Sequence, residues 1–212
     1  MRIFIGIDLD DAIRGKIARF LEGVGCFAPE ARWVRPESLH ITLKFIGEQK
    51  EEKVEAIAER LRQIHSGPIE IGMAGYGFFP TPKAPRVFWI GIQAGPTLAA
   101  LAKQIDEACG ELGVAREDRE FSPHLTLARA GARGKRSSGD PKWRKDDRSN
   151  SVFDVLQKRL ASMGGHDSGE LNFGNMTAHK FILYQGQLSP AGSKYTKLER
   201  FAMPPGGAPV HP

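Results

Sequence analysis

Read for its alternation of apolar and polar positions, the chain opens with a buried strand. Arg2 to Leu9 is rich in Ile and Phe, and Asp8-Leu9-Asp10-Asp11 ends the run. That acidic group can cap a helix in which Ala12, Ile13, Ile17, Ala18 and Leu21 recur at helical spacing. Trp33-Val34 and Leu39 to Ile46 read as extended, with Gly47 as a stop. Lys50 to His65 predicts a second helix, with Val54, Ile57, Ala58, Leu61 and Ile64 on one stripe. Strands follow over Ile69 to Tyr76 and Arg86 to Ile92, joined by the turn-rich run from Phe79 to Pro85.

The second half repeats this plan. Pro96 to Leu112 is helical, Phe121 to Ala128 a strand, Val152 to Met163 a helix and His179 to Gln185 a strand. Each half holds a helix, a strand carrying a histidine, another helix and more strand, which a loose internal duplication explains. Because strands and helices do not strictly alternate, the order favours α+β over a doubly wound sheet. Two stretches fall outside. Gly131 to Ser151, rich in Gly, Ser and charge, predicts a mobile basic loop, and the Pro/Gly-rich 203–212 a frayed tail.

Composition narrows the classes. At 212 residues, 41% hydrophobic and 26% charged, the chain can bury a real core. A formal charge of +5 favours polyanionic partners without specifying a fold. Cys26 and Cys109 make no disulfide framework and no Cys-x-x-Cys pair. The first apolar run is too short for a signal peptide, and nothing approaches the roughly 20 apolar residues of a membrane span. The expectation is a soluble, cytoplasmic protein with no membrane partner.

Two matching tetrapeptides carry the chemistry: His40-Ile41-Thr42-Leu43 and His124-Leu125-Thr126-Leu127. On a strand, residues two apart share a face, so each segment presents an imidazole and a hydroxyl above an aliphatic floor. Two facing imidazoles can divide acid and base work near neutral pH, their unperturbed pKa lying near 6.5. The hydroxyls of Thr42 and Thr126 can donate to the oxygens of a phosphate between them. Neither motif has a Cys, Asp or Glu at zinc-ligand spacing, and no Gly-x-Ser-x-Gly elbow is present, so no metal or cofactor is expected.

These motifs resemble those of the two-histidine (2H) phosphoesterase superfamily. Trp33-Val34-Arg35-Pro36-Glu37-Ser38-Leu39-His40-Ile41-Thr42-Leu43-Lys44-Phe45-Ile46-Gly47 and Phe121-Ser122-Pro123-His124-Leu125-Thr126-Leu127-Ala128-Arg129 are similar to the motif regions of RNA 2′,3′-cyclic phosphodiesterases, often labelled 2′-5′ RNA ligases. The stretch from Phe79-Pro80 through Pro85-Arg86-Val87-Phe88-Trp89-Ile90-Gly91, and the C-terminal Leu188-Ser189-Pro190 with Tyr195 and Leu198-Glu199-Arg200-Phe201, match as well. The resemblance implies one bilobal domain over 1–202, with two pseudo-symmetric lobes, antiparallel sheets lining a central groove and helices outside. It also implies His40 as proton donor to the departing 3′ oxygen, His124 as the base, a 2′-phosphate product, and RNA or nucleotide 2′,3′-cyclic phosphates as substrates of a monomer. The reverse ligation, and a non-catalytic RNA-binding module, are the alternatives.

Arg129, two residues past the second motif, is expected near the groove as a phosphate contact, and Lys44 at the corresponding place after the first. Phe45, Phe79 and Trp89 could stack a nucleobase, although aromatics among strand aliphatics are mostly core. His65 is expected to close a helix, His166 and His211 to be exposed spectators, and His179 to be structural. The loop's Arg133, Lys135, Arg136, Lys142, Arg144, Lys145 and Arg148, with Trp143 among them, could hold RNA backbone.

Overall fold

The computed structural model describes residues 1–131, 152–163, 171–189 and 192–206. The expected basic loop, Gly131 apart, lies outside the described residues, as do 207–212 of the tail and His166 and His211. Within them, β1 (Arg2–Asp8) sends Ile3, Ile5 and Ile7 into the core and its even-numbered residues to the other face. Asp10, not Asp8, caps α1 (Asp11–Val24): its Oδ1 accepts the Ile13 amide at 2.7 Å. β2 (Ala31–Trp33) and a single 3₁₀ turn, Pro36–Ser38, lead into β3 (His40–Glu48).

Next, α2 (Glu51–Leu61) buries Val54, Ile57, Ala58 and Leu61 and ends short of the predicted His65. The hairpin of β4 (Ile69–Phe79) and β5 (Val87–Ala94) precedes α3 (Pro96–Glu111), which starts on a proline that needs no amide partner there. β6 (His124–Ala130), α4 (Asp154–Met163), β7 (Asn172–Ala178), β8 (Lys180–Ser189) and β9 (Gly192–Ala202) complete the order. β7 and β9 are absent from the periodicity for one reason. Each is the edge of its sheet, exposed enough that apolar alternation is diluted by residues such as Asn175, Lys197 and Glu199.

The strands form two antiparallel sheets, β3-β1-β8-β9 and β2-β6-β5-β4-β7. The lobes are not the two halves of the chain, as a simple duplication suggests. The first sheet takes both chain ends, and the helices change sides: α1, which follows β1, packs on β7, while α3, which follows β5, packs on β3. This exchange builds one core, in which Ile5, Ile41 and Leu183 of the first sheet join Phe88, Leu125 and Leu127 of the second. Each such side chain contributes about 1.5–3 kcal/mol when fully buried, so the lobes share their stability. Met203 belongs to this core and its amide donates to the His179 carbonyl at 2.7 Å, so the expected tail does not begin there. A second, small cluster of Phe4, Ile182 and Tyr184 with Tyr195 lies on the opposite face of the first sheet, toward the groove.

Candidate active site

β3 and β6 are built alike. In both, the histidine and threonine are half-buried while Ile41 and Leu43, or Leu125 and Leu127, are buried beneath them. His40 Nδ1 lies 2.8 Å from the Ser38 carbonyl, and His124 Nδ1 lies 2.8 Å from the Ser122 carbonyl. A carbonyl only accepts, so each Nδ1 carries the hydrogen and the neutral ring leaves Nε2 as a free acceptor. His65 makes the same local bond to the Gln63 carbonyl, beyond the end of α2 rather than on it. What sets His40 and His124 apart is the repetition on two strands, one in each sheet, that approach one another.

The repetition extends further than the sequence motif. Both strands slip register just after the threonine: Gly6 pairs with Thr42 but Ile5 with Lys44, and Trp89 pairs with Thr126 but Phe88 with Ala128. Such a bulge turns the next pair of residues over. Lys44 and Ala128 are buried, and Phe45 and Arg129 come back to the groove side, exposed. Arg129 therefore stands on the same face of β6 as His124 and Thr126, and its counterpart on β3 is Phe45. Lys44 is a buried core lysine, 2.5 Å from Asp106 and 2.9 Å from the Ala115 carbonyl, and takes no part in the site.

Aromatic walls flank each imidazole. Phe4 and Tyr195 approach the His40 ring at 4.6 and 5.0 Å between centroids, and Phe79 stands edge-on to His124 at 5.0 Å. Trp89 stacks on Phe79, its indole lying over Gly77, where a Cβ would come within 2.2 Å of the ring. Phe79 and Trp89 are thus groove walls rather than core, and Phe45 is 53% exposed. Among the described residues, two buried side-chain polar atoms have no hydrogen-bond partner, Trp89 Nε1 and Tyr184 Oη, one in each wall.

Directly opposite His40, at the end of β1, sits Asp8, which accepts from Arg14 at 2.6 Å and from Lys197. Burial pushes its carboxyl up, but those hydrogen bonds and charges outweigh burial and hold it below the usual carboxylate range. Arg14 also donates to the Pro36 carbonyl at 2.7 Å, fastening Asp8 to the turn that presents His40. Desolvation carries His40 down to about 4; its Ser38 bond and Asp8 oppose the shift and Arg129 adds to it. His124 is lowered too, by desolvation and by Arg129, against its Ser122 bond. Both rings are therefore neutral in the free protein near pH 7, not poised at the ordinary histidine value. The charge of one arginine, Arg129, thus reaches both rings. Among the described residues, no three His, Cys, Asp or Glu side chains gather where a metal ion could sit.

Known proteins share this fold and its motifs. The family described as LigT like Phosphoesterase matches residues 7–89 and again 90–163, each stretch holding one histidine strand. The chain belongs to the LigT-like phosphoesterase family. Near-full-length relatives are the RNA 2′,3′-cyclic phosphodiesterases of Archaeoglobus fulgidus, 35% identical over 95% of this chain and 99% of the other, and of Methanothermobacter thermautotrophicus, 30% identical over 96% and 99%. TT0787 of Thermus thermophilus superposes with a TM-score of 0.73 at 24% identity, covering 97% of this chain and all of that one. Escherichia coli LigT complexed with phosphate gives 0.67 at 25% identity, covering 96% and 97%. This LigT-like phosphoesterase is accordingly a hydrolase. The residues to which sequence reasoning gave no role in the site are Phe4, Asp8, Tyr184 and Tyr195, although Tyr195 lies in the C-terminal stretch that resembles the family. For Phe4 and Asp8 a signal existed: they occupy the positions of β1 that alternate against Ile3, Ile5 and Ile7.

Proposed function

We propose that this chain opens 2′,3′-cyclic phosphates at RNA ends to the 2′-phosphate, with His124 as base, His40 as acid and no metal ion. The observation that carries the reading is the repeated unit: an imidazole with Nδ1 tied to the carbonyl two residues back, and a threonine on the same face, in both lobes. Neutral His124 takes a proton from water at Nε2 as the water oxygen bonds phosphorus. The P–O3′ bond breaks on the opposite side, and the departing oxygen takes a proton from His40 Nε2. The 2′ ester survives, beside a free 3′-hydroxyl. Thr42, Thr126 and Arg129 donate to the non-bridging oxygens as charge builds there. Acid, base and donors all come from the chain, so the step needs no Lewis acid.

His40 must be charged to act as the acid, although it is neutral in the free site. The substrate is itself an anion. A negative charge about 4 Å away contributes about 4 kcal/mol at an effective dielectric of 20, or about three pKa units, which brings the pKa of His40 back up to near neutral pH, where the charged ring is populated. Asp8 adds to this at His40, and His124 has no such carboxylate, which favours His40 as donor. The names of the archaeal relatives and the phosphate bound by the similar E. coli protein support the substrate class. The test is to incubate the protein with an oligonucleotide ending in a 2′,3′-cyclic phosphate and identify the product by ³¹P NMR. A 2′-phosphate is expected; a 3′-phosphate would reverse the leaving group and refute the assignment.

A further inference from the structure

We infer that Arg32 and Arg2 form, beyond Arg129, a subsite for the internucleotide phosphate on the 5′ side of the terminal nucleoside; it rests on the cyclic-phosphate reading above. Arg32 on β2 pairs directly with Arg129 on β6. Residues directly opposite in an antiparallel pair share a face, with Cβ atoms about 4.5–5.5 Å apart, and like charges placed so are destabilising. Since Arg129 faces the groove, so does Arg32, while its neighbours Ala31 and Trp33 turn inward. Arg2 stands on the same face of β1 as Phe4, Gly6 and Asp8, at the strand's other end from Asp8.

Arg32 and Arg129 thus stand side by side on one face of the second sheet, and Arg2, on the first, is near enough for its charge to act on Arg129. Among the described residues none of the three is ion-paired with a carboxylate: Glu48, opposite Arg2 on β3, bridges the Met1 ammonium instead, and Arg32 reaches only the Ala130 carbonyl, at 3.5 Å. Folding alone gains nothing from an unneutralised arginine pair, whereas an anion lying over it would relieve the repulsion and accept from both forks. The influences are ordered in space. Arg129 acts on both histidines; Arg32 and Arg2 act on Arg129 and on neither histidine. Arg129 shares the groove face of β6 with His124, and Arg32 lies beyond it, across the β2–β6 pair, so the outer arginines stand one step further from the scissile phosphate. In a strand that ends in a cyclic phosphate, every further phosphate lies on the 5′ side. The outer pair is thus in place for the next one along.

The experiment compares a nucleoside 2′,3′-cyclic phosphate, which has no second phosphate, with a short oligonucleotide carrying the same end, for wild type, Arg32→Gln and Arg2→Gln. For Arg32→Gln the ratio of kcat/KM on the oligonucleotide to that on the nucleoside should fall by about tenfold, as loss of a charge-assisted hydrogen bond implies. The slope of log kcat/KM against log salt for the oligonucleotide should flatten by about 0.7 for each phosphate deprived of its arginine. Arg2→Gln should act the same way, and the Arg32→Gln melting temperature should not drop, because a repulsion has been removed. Equal losses on both substrates, or no loss on either, would overturn the subsite. Wild-type protein that opens neither substrate would instead refute the underlying chemistry, so the two failures are told apart.

Discussion

The two histidine strands share a plan down to the bulge, yet what faces each histidine across the sheet differs. Asp8 pairs with His40 where Gly91 pairs with His124, and Gly6 lies opposite Thr42 where Trp89 lies opposite Thr126. One imidazole therefore works beside a fixed carboxylate, the other beside bare backbone and an indole. On the proposed roles, the lesson is that the duplicated parts supply what acid and base have in common: a single tautomer, a hydroxyl alongside, a dry floor. The unduplicated neighbours give each its role. Symmetry makes the pair, and Asp8 breaks it.

The comparison can be tested by removing its parts. Replacing either histidine with alanine removes half of one concerted displacement, so turnover on a cyclic phosphate should fall by a factor on the order of 10² or more for both. Melting temperature should change little, because both rings face the groove. Near-wild-type turnover by either variant would show the pair to be wrongly assigned. Arg129→Gln should follow, losing about tenfold to a hundredfold, the value of a hydrogen bond between charged groups. Because Arg129 lowers both histidines, both limbs of the pH–rate profile should move to higher pH in that variant.

Asp8→Asn should act on one limb alone. The carboxylate raises His40, so without it the acid loses its proton at lower pH and the alkaline limb moves down; the acidic limb, set by His124, should stay. The loss at pH 8 should be a few-fold, and movement of both limbs would contradict the division of roles. The smallest effect concerns stability. His40 falls from 6.5 to about 4 on folding, so between those values the unfolded chain binds more protons. Its contribution is complete above about 6.5 and is lost as the pH falls toward 4. The melting temperature should decline over that window, and less steeply in His40→Gln.

Much of this is legible in the order of the amino acids. The tetrapeptides His40-Ile41-Thr42-Leu43 and His124-Leu125-Thr126-Leu127 announce their own burial pattern, because period-two alternation is a local property. Alternation also misleads. Counting from His124 puts Ala128 on the groove face and Arg129 beneath, and only the bulge after Thr126 corrects this. The same slip hides Phe45 and makes Lys44 look available, when its ammonium is held under the sheet by Asp106. The acidic cluster Asp8-Leu9-Asp10-Asp11 reads as a helix cap throughout because a cap and a groove carboxylate look alike in sequence; Asp10 does the capping, and Asp8 faces His40. The edge strands and the exchange of α1 and α3 between lobes depend on contacts far apart in the chain, which periodicity does not encode.

The division of labour is tested most directly by changing the leaving group. A cyclic phosphate whose bridging 3′ oxygen is replaced by sulfur releases a thiolate, a stable enough anion to depart without a proton. On that substrate His40→Ala should recover a rate close to wild type, while His124→Ala stays impaired by its full factor, since water must still be deprotonated. Rescue of His124→Ala instead, or of neither variant, would contradict the assignment of His40 as acid and His124 as base.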